Sequence, residues 1–431
     1  MDERSGGGAA LLGMDGFVVI DSVEEDGELF VLVETTADVV GCPSCGVRAT
    51  GHGRSTVQVR DLPNGGRAVR LVWRKRRWLC RDPDCEAKSF TERSPLIRRS
   101  LTLRAEREIC RLVGQEGHSV ASTTRGFGVG WETAMGCVRR HGTPLVEDPA
   151  RIEGVRALGV DEHKMLSANQ HRHTLYATSF VDVKRGILLD VVRGRKADDV
   201  DYWLSQTTPA WRHKVGAVAI DPHRGYLAGL VTRLPDAIVT IDCFHGVKLA
   251  NAMVDDVRRR VQNETLGHRG HRDDPLYRSR RLMTRGFERL SDRQLAKLFD
   301  ALDEGDPDGE VGAAILAKEL MREMYASKSP GRARWKLVEL YQLAADAEVP
   351  EITRFAKTVS SWEEEILNYH VTGISNGPTE AQNLITEKIR RIGHGFRNFE
   401  NYRLRLLLHS GVEWNTRPIA RIRGRHPRLI A

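Results

Sequence analysis

Acidic residues at the ends of apolar segments are the part of this sequence that most directly suggests chemistry. An apolar strand is predicted in "VRALGVDEHKM", ending at Asp161 and Glu162, and a second in "VGAVAIDPHRGY", ending at Asp221. A third acid, Glu380, lies in the first turn of a helix predicted in "GISNGPTEAQNLITEKIRR". Carboxylates that meet in this way can hold two magnesium or manganese ions, which activate an oxygen nucleophile and stabilise the leaving oxygen in phosphodiester displacement.

These acids also have ordinary structural explanations. Aspartates at strand ends are common turn residues, and a glutamate in the first turn of a helix interacts favourably with the helix dipole. Glu387 follows Glu380 by one heptad on the same predicted helix face and is an alternative third ligand. A further strand is predicted in "DAIVTIDCFHGVKLA", ending at Asp242 and His245.

Four cysteines form a second candidate site. Cys42 and Cys45 lie in "CPSC", and Cys80 and Cys85 lie in "CRDPDC". Zinc takes four soft ligands in a tetrahedron, and each short loop turns two sulfurs towards one point, so the spacing predicts one structural zinc ion. His52 is an alternative ligand in the same region. The three remaining cysteines have no ligand-like spacing, and we expect them to be buried.

The hydrophobic pattern of the sequence predicts the strands and helices that must position the acids. Residues 155–245 are predicted to begin with a long antiparallel ribbon and to continue as parallel strands separated by helices. This order is typical of a ribonuclease H-like sheet, in which acids at the ends of adjacent strands meet. Residues 246–372 show Leu, Arg, Glu and Ala at helical spacing, which predicts a helical insertion before the third acid.

The amino-terminal part of the chain has a different pattern. A β-hairpin is predicted in "GFVVIDSVEEDGELFVLVETT", with its turn near Asp26 and Gly27. Three helices are predicted between residues 101 and 142: one to about Gln115, one over 119–127 and one over 131–141. A tight corner with two glycines separates the last two helices, which predicts a helix-turn-helix.

The positive charge of the chain is concentrated near its two ends. Residues 54–107 contain 15 Lys and Arg against 6 Asp and Glu, and residues 381–431 contain 11 against 3. Such basic regions can contact a polyanion, although charged segments are often only solvated surface. The residues expected to contact DNA are Arg74, Lys75, Arg76, Arg77, Thr133, Arg139, Arg140, Lys388, Arg390 and Arg391.

Composition argues against two classes of protein. The sequence has no uncharged apolar run long enough to span a membrane and no charged-apolar-small signal at its start, so we expect neither a membrane partner nor secretion. Seven unevenly spaced cysteines fit a reducing compartment better than a disulfide framework. The expected location is the cytoplasm, at the nucleoid.

Several blocks of the sequence resemble bacterial insertion-sequence transposases of the ISL3 family. These blocks are "LGVDEHK", "AIDPHRGY", "IDCFHGVKLAN", "HRGHRDDPLYRSRR" and "SNGPTEAQNLITEKIRRIGHGFRNFENYRLRLLL", and "CPSC…CRDPDCEAKSFTE" resembles the zinc-binding module of that family. The resemblance covers about residues 40–410 with the blocks in the family's order. It implies a DDE transposase that binds terminal inverted repeats, cleaves DNA at the element ends and joins them to target DNA.

The resemblance also implies roles for individual residues. The three catalytic acids fall on Asp161, Asp221 and Glu380, which would hold two Mg or Mn ions. "DCFH" matches the D-x-x-H signature of several DDE superfamilies, which implies that Asp242 and His245 belong to the catalytic site. We expect the substrate to be double-stranded DNA, from both the inverted repeats and the target, and the protein to act as a homodimer or higher oligomer.

Together these features predict a multidomain α/β protein: a ribonuclease H-like mixed sheet with a helical insertion, preceded by a small zinc-binding β module and a helix-turn-helix. An alternative function is a DNA-binding repressor derived from a transposase and lacking catalysis. The expected segments are 1–15 (disordered tail), 16–97 (zinc-binding β module), 98–150 (helix-turn-helix), 151–249 (first part of the core), 250–372 (helical insertion), 373–412 (second part of the core) and 413–431 (basic tail).

Overall fold

The structure is a computed structural model that describes residues 12–37 and 39–414. Most of the predicted disordered tail and basic tail lies outside these residues. The chain divides into two compact units, whose described parts are residues 12–148 with 408–414 and residues 149–407. Within the described ranges, no helix has both the length and the apolar character needed to cross a bilayer.

The first unit contains a seven-stranded sheet. Its strands are β1 (Phe17–Glu25), β2 (Glu28–Thr35), β3 (Thr50–Asn64), β4 (Arg67–Leu79), β5 (Ser89–Thr91), β6 (Ile97–Arg98) and β7 (Leu101–Thr102). The order is β1-β2-β4-β3-β7-β6, and β5 pairs with β4. The predicted hairpin is confirmed, since β1 and β2 pair antiparallel around Asp26 and Gly27, which have φ angles of 51° and 74°. Alternate residues of these strands form the core, and Val33, Leu71 and Trp73 are buried.

Three helices follow this sheet within the same unit: α1 (Leu103–Gly114), α2 (Val120–Phe127) and α3 (Trp131–Val146). The side chain of Thr102 caps α1, and the side chain of Ser119 caps α2. Gly128 ends α2 in the left-handed conformation, with φ 62°. The third helix continues past its predicted end at residue 141, because Gly142 and Val146 are buried on its packed face.

The second unit is built on a five-stranded mixed sheet. Its strands are β8 (Ala157–Leu166), β9 (Leu175–Asp182), β10 (Ile187–Arg193), β11 (Ala217–Ile220) and β12 (Ile238–Ile241). The order is β10-β9-β8-β11-β12: β9 pairs antiparallel with both β10 and β8, and β11 pairs parallel with both β8 and β12. Every residue of β11 is buried, as expected for a central parallel strand. The mixed strand directions and intervening helices fit an α/β fold.

Helices surround this sheet and form most of the rest of the unit. They are α4 (Ala197–Ser205), α5 (Pro209–Lys214), α6 (Arg224–Arg233), α7 (Cys243–Leu266), α8 (Pro275–Met283), α9 (Asp292–Gly305), α10 (Glu310–Ala326), α11 (Pro330–Asp346), α12 (Pro350–Ser361), α13 (Glu363–Leu367), α14 (Tyr369–Thr372), α15 (Gly377–Ile392) and α16 (Phe399–Ser410), with 3-10 turns at Pro149–Ile152 and Phe287–Arg289. Seven helices follow α7 before α15 begins, so the segment between β12 and α15 is helical.

One strand boundary predicted from the sequence is wrong. The strand β8 does not end at Asp161 and Glu162 but continues to Leu166. Its antiparallel partner β9 pairs with it along this whole length, up to Leu175 opposite Leu166. The pairing between β8 and its other neighbour, β11, stops at Val160, so Asp161 lies at the end of a parallel ladder rather than at the end of a strand.

Candidate active site and zinc site

Three neighbouring strands place an aspartate at the same level of the sheet. Val160 in β8 pairs with Ile220 in β11, and Ile220 pairs with Ile241 in β12. In each strand the next residue is an acid, so the three carboxylates follow the last paired position of the parallel ladder. These acids are Asp161, Asp221 and Asp242.

The imidazole of His245 lies among the acids. The helix α7 starts directly after Asp242, whose side chain accepts a hydrogen bond from a backbone N–H of its first turn. His245 is therefore in the first turn, with Nε2 2.9 Å from Asp221 Oδ2. Its Nδ1 lies 4.0 Å from Asp242 Oδ2 and 3.8 Å from Glu380 Oε1. The structure thus brings Asp221, Asp242, His245 and Glu380 together.

The helix that carries Glu380 also holds the aspartates through two asparagines. The backbone N–H of Asn376 donates to Asp242 Oδ1 at 2.9 Å, and its side-chain amide donates to Asp221 Oδ1 at 3.3 Å. One turn after Glu380, the amide of Asn383 donates to Asp161 Oδ2 at 2.6 Å. The start of α15 therefore contacts the acids of three different strands.

These two asparagines are site residues that the sequence analysis did not identify. They flank Glu380 at helical spacing, which is the signal that would have indicated them. Asn383 is itself close to Ser179, whose hydroxyl lies 3.4 Å from Asn383 Oδ1 and 2.9 Å from Nδ1 of the buried His163. Asp161 is thus held by a chain of polar side chains that leads into the core.

A glycine in β8 allows the helix to approach the sheet so closely. A Cβ atom added to Gly159 would lie 2.0 Å from Thr379 Oγ1 and 2.6 Å from Val183 Cγ1. Both distances are far below van der Waals contact. The position of Glu380 relative to the strand acids therefore depends on the missing side chain at residue 159.

The carboxylates destabilise one another's charged forms. Burial and the nearby charge of Asp221 raise the pKa of Asp161 to about 8. Burial and the charge of Asp242 raise the pKa of Glu380. Burial disfavours the charged form of His245, but the hydrogen bond to Asp221 and the surrounding acids outweigh it and raise the His245 pKa.

The donor set of this cluster fits a hard divalent cation. Asp242, His245 and Glu380 each offer a ligand atom within 4.8 Å of the others, and Asp221 adjoins His245. Oxygen donors dominate, and a bound cation would relieve the repulsion that raises the pKa values of Asp161 and Glu380. Magnesium and manganese both accept such carboxylate ligands.

The rival acid Glu387 has different surroundings. Its carboxylate forms ion pairs with Arg390 at 2.7 Å and with Arg391 at 2.8 Å. Glu380 instead lies within 4 Å of His245. Two of the expected DNA contacts, Arg390 and Arg391, are therefore engaged with a carboxylate on their own helix, while Lys388 is exposed.

The four cysteines of the first unit converge as predicted. Cys42 Sγ lies 3.7 Å from Cys85 Sγ, and Cys45 Sγ lies 3.5 Å from Cys80 Sγ. A tetrahedral site with Zn–S bonds of about 2.3 Å requires S···S separations of about 3.8 Å, so this geometry fits zinc. Hydrogen bonds from the backbone N–H groups of Ser44 and Cys45 lower the pKa of Cys42 to about 7, while burial and the neighbouring thiols raise the pKa values of Cys45 and Cys85. His52 does not belong to this described cluster.

The basic residues expected in β4 fall into two groups. Arg74 and Arg76 lie 3.1 and 3.8 Å from Glu34, so one buried carboxylate holds both guanidinium groups. The ammonium group of Lys75 lies 4.8 Å from the ring centroid of Trp73, and Arg77 is exposed. Lys75 and Arg77 are consequently the residues of this set best placed to contact an external anion.

The residues of α3 that we expect to contact DNA also fall into two groups. Arg140 forms a 2.6 Å ion pair with the buried Glu106, which His141 also contacts at 2.8 Å. This contact is part of the helix packing. Thr133 and Arg139 are exposed, with Arg139 3.8 Å from the exposed Glu132. The exposed face of α3 therefore carries Thr133 and Arg139.

Two family models match this chain. One, described as transposase and belonging to the DDE type and the ISL3 group, matches residues 158–406. The other, described as the zinc-finger of transposase IS204/IS1001/IS1096/IS1165, matches residues 38–85. The first match contains Asp161, Asp221, Asp242, His245 and Glu380, which we call the acidic cluster. The second match contains all four cysteines.

Two curated relatives of this chain are also named transposases. The chain is 26% identical over 291 residues to the transposase for insertion sequence element IS1557 from Mycobacterium tuberculosis, in both strain CDC 1551 / Oshkosh and strain ATCC 25618 / H37Rv. Each match covers 63% of this chain and 63% of the relative's length.

Proposed function

Because this chain belongs to the ISL3 family of insertion-sequence transposases, we propose that it is a DNA transposase acting on the terminal inverted repeats of an insertion sequence. The proposed reaction is metal-dependent cleavage at the element ends followed by strand transfer to target DNA. The observation that supports this proposal is the grouping of Asp221, Asp242, His245 and Glu380, with Asp161 at the matching level of the adjacent strand β8.

The proposed catalytic core is ribonuclease H-like. An antiparallel ribbon that continues into parallel strands, with a late helix completing the site, supports this assignment. In such a core, Asp161, Asp221 and Glu380 would hold two Mg or Mn ions. When bound, these ions supply charge stabilisation at the attacking and leaving oxygens of the phosphodiester.

Residues around the three acids would keep them in place for the reaction. Asn376 and Asn383 donate to the strand acids, which fixes the direction of their remaining lone pairs. His245 contacts Asp221 through Nε2 at 2.9 Å and so orients that carboxylate, while its Nδ1 lies 3.8 Å from Glu380 Oε1 without a hydrogen bond. Asp242 caps α7 and thereby fixes the position of His245.

DNA recognition is assigned to the first unit. The zinc cysteines hold together the turns that flank the long strands β3 and β4, from which Lys75 and Arg77 would contact phosphates. The helices α2 and α3, with the turn at Gly128 between them, would act as a helix-turn-helix that presents Thr133 and Arg139 to a groove. Because an insertion sequence has two ends, we propose that the chain acts as a homodimer or higher oligomer.

The alternative of a non-catalytic repressor is not favoured, because the acidic cluster is complete. Incubating the full chain and magnesium with the genomic DNA that flanks its reading frame tests the proposal. Strand breaks should appear at the two inverted repeats and vanish when magnesium is omitted. Binding of these repeats without any strand break, in either magnesium or manganese, would favour the repressor.

A further inference from the structure

A groove of about 480 Å³ lies beside the five-stranded sheet, at the carboxyl ends of β8 and β10. Four cations line it: Arg193, Arg195, Lys196 and Arg397, all exposed. Within the described residues, Arg195 has an ion pair, with Glu162 at 3.1 Å, and the other three have no carboxylate at that distance. One acid, Asp199, also lines the groove, so four cations face one lining carboxylate and the groove keeps a surplus of positive charge.

Two of these cations lie over aromatic rings. The guanidinium carbon of Arg195 is 4.1 Å from the ring centroid of Tyr176, and that of Arg193 is 4.8 Å from the ring centroid of Phe399. A planar guanidinium group held against a ring presents its other face to the groove. Unpaired nucleic-acid bases stack on aromatic rings and guanidinium planes, while nearby cations contact the phosphates.

The volume of the groove limits the kinds of ligand that it can hold. Its volume lies in the range of sites that enclose a whole small molecule, so it exceeds what a single phosphate group requires. A base that remains paired in a duplex cannot enter such a groove, whereas a base outside the duplex can. The cations, the aromatic rings and the volume of the groove together match an unpaired nucleotide.

The groove connects with the acidic cluster along β8. Glu162, the partner of Arg195, directly follows Asp161, and Met165 of the same strand lines the groove. A strand advances about 3.3 Å per residue, so Met165 lies roughly 13 Å from Asp161. One DNA strand advances about 3.4 Å per nucleotide, so this separation corresponds to roughly four nucleotides.

We propose that this groove binds an unpaired nucleotide of the DNA strand whose phosphodiester lies at the acidic cluster. The inference rests on the proposed function, since that function delivers DNA to the neighbouring site. Arg193, Lys196 and Arg397 contact phosphates, and the Tyr176–Arg195 pair stacks the base. Binding of this nucleotide favours strand separation close to the point of cleavage.

A binding assay on the full chain tests this site without any cleavage step. Fluorescence anisotropy without added magnesium, which leaves the structural zinc in place, compares a blunt duplex of arbitrary sequence with the same duplex carrying a short single-stranded extension. The wild-type chain should bind the extended probe more tightly. The double variant Arg193→Ala/Lys196→Ala should lose about tenfold or more of its affinity for the extended probe and much less for the blunt one, because the two removed cations face the single strand.

Matched variants separate the contributions of charge and stacking. The double variant Lys214→Ala/Arg272→Ala removes two exposed cations elsewhere in the unit and should weaken binding of both probes equally. The variant Tyr176→Phe should keep the preference for the extended probe, and Tyr176→Leu should reduce it about tenfold. Equal losses on both probes for Arg193→Ala/Lys196→Ala would overturn the proposal. Identical binding by Tyr176→Leu and Tyr176→Phe would also overturn it, whether or not the wild-type chain cleaves element ends.

Discussion

The amide of Asn383 shows how one side chain outside the proposed ligand set can control the site. It donates to Asp161 at 2.6 Å and receives support from Ser179, which in turn contacts the buried His163. Asp161 is the most buried of the three proposed catalytic acids. The backbone N–H of Glu162 donates to Asp161 Oδ1 at 2.7 Å, so the position of the other oxygen, Oδ2, depends on this amide.

We therefore expect Asn383→Ala to reduce strand cleavage by about tenfold to a hundredfold, as is usual when a group that orients a metal ligand is removed. DNA binding should not change, because Asn383 lies in the acidic cluster rather than in the first unit. Cleavage rates measured over a range of magnesium concentrations test this. A positioning role predicts that the magnesium requirement rises, and an unchanged magnesium dependence would contradict it.

At the scale of elements, the packing of α15 against β8 decides whether Glu380 reaches the other acids. Gly159→Ala would place a methyl group 2.0 Å from Thr379 Oγ1 and 2.6 Å from Val183 Cγ1. Overpacking of this kind costs about 1–3 kcal/mol, so the free energy of unfolding should fall by about that amount.

Urea unfolding, followed by circular dichroism, measures this change. Gly216→Ala is the matched control, because its new Cβ would have its nearest neighbour at 4.0 Å. The control should unfold at nearly the wild-type urea concentration. If both variants unfold alike, the close approach of α15 to β8 is not what restricts residue 159.

A second element-scale prediction concerns the zinc site. Cys80→Ser removes one of four thiolates that lie within 4.8 Å of one another, and zinc then loses a ligand. We expect the purified protein to lose most of its zinc, measured by elemental analysis, and the first unit to lose stability because binding of structural zinc contributes to folding. Cys243→Ser, which changes a cysteine of the second unit that is not one of the four ligands, should retain one zinc per chain. An unchanged zinc content in Cys80→Ser would contradict the assignment.

The acids of the sheet could be predicted because each follows a short apolar run, a local pattern that indicates where a buried strand stops. The end of β8 could not be predicted, because it depends on pairing with β9 across an intervening loop. The roles of Asn376 and Asn383 were missed for a similar reason. Helical spacing from Glu380 indicates that Asn383 lies near that acid, but Asn383 and Asp161 are 222 residues apart in the chain, and their contact depends on how the helix packs on the sheet.

At the scale of the whole molecule, the first compact unit combines segments that are far apart in the chain. The first unit includes residues 408–414 as well as residues before 149. Leu408 packs so closely on Gly114 and Gly142 that an added Cβ would lie 3.0 and 2.6 Å from its atoms. His409 Nδ1 also lies 3.2 Å from the carbonyl oxygen of Gly114. A fragment that ends near Pro149 would therefore lack part of its own core, and the full chain is the better material for functional tests.

Strand cleavage by the full chain on DNA containing the element ends, compared between Glu380→Gln and Glu387→Gln, tests the proposed active site most directly. Both changes keep the side-chain volume and remove one charge, but Glu380 lies 3.8 Å from His245 and Glu387 is paired with Arg390 and Arg391. Glu380→Gln should lose several orders of magnitude in cleavage rate, since it removes a ligand of the cation that stabilises the transition state. Glu387→Gln should retain most of its activity. Cleavage by Glu380→Gln together with an inactive Glu387→Gln would contradict the proposed site.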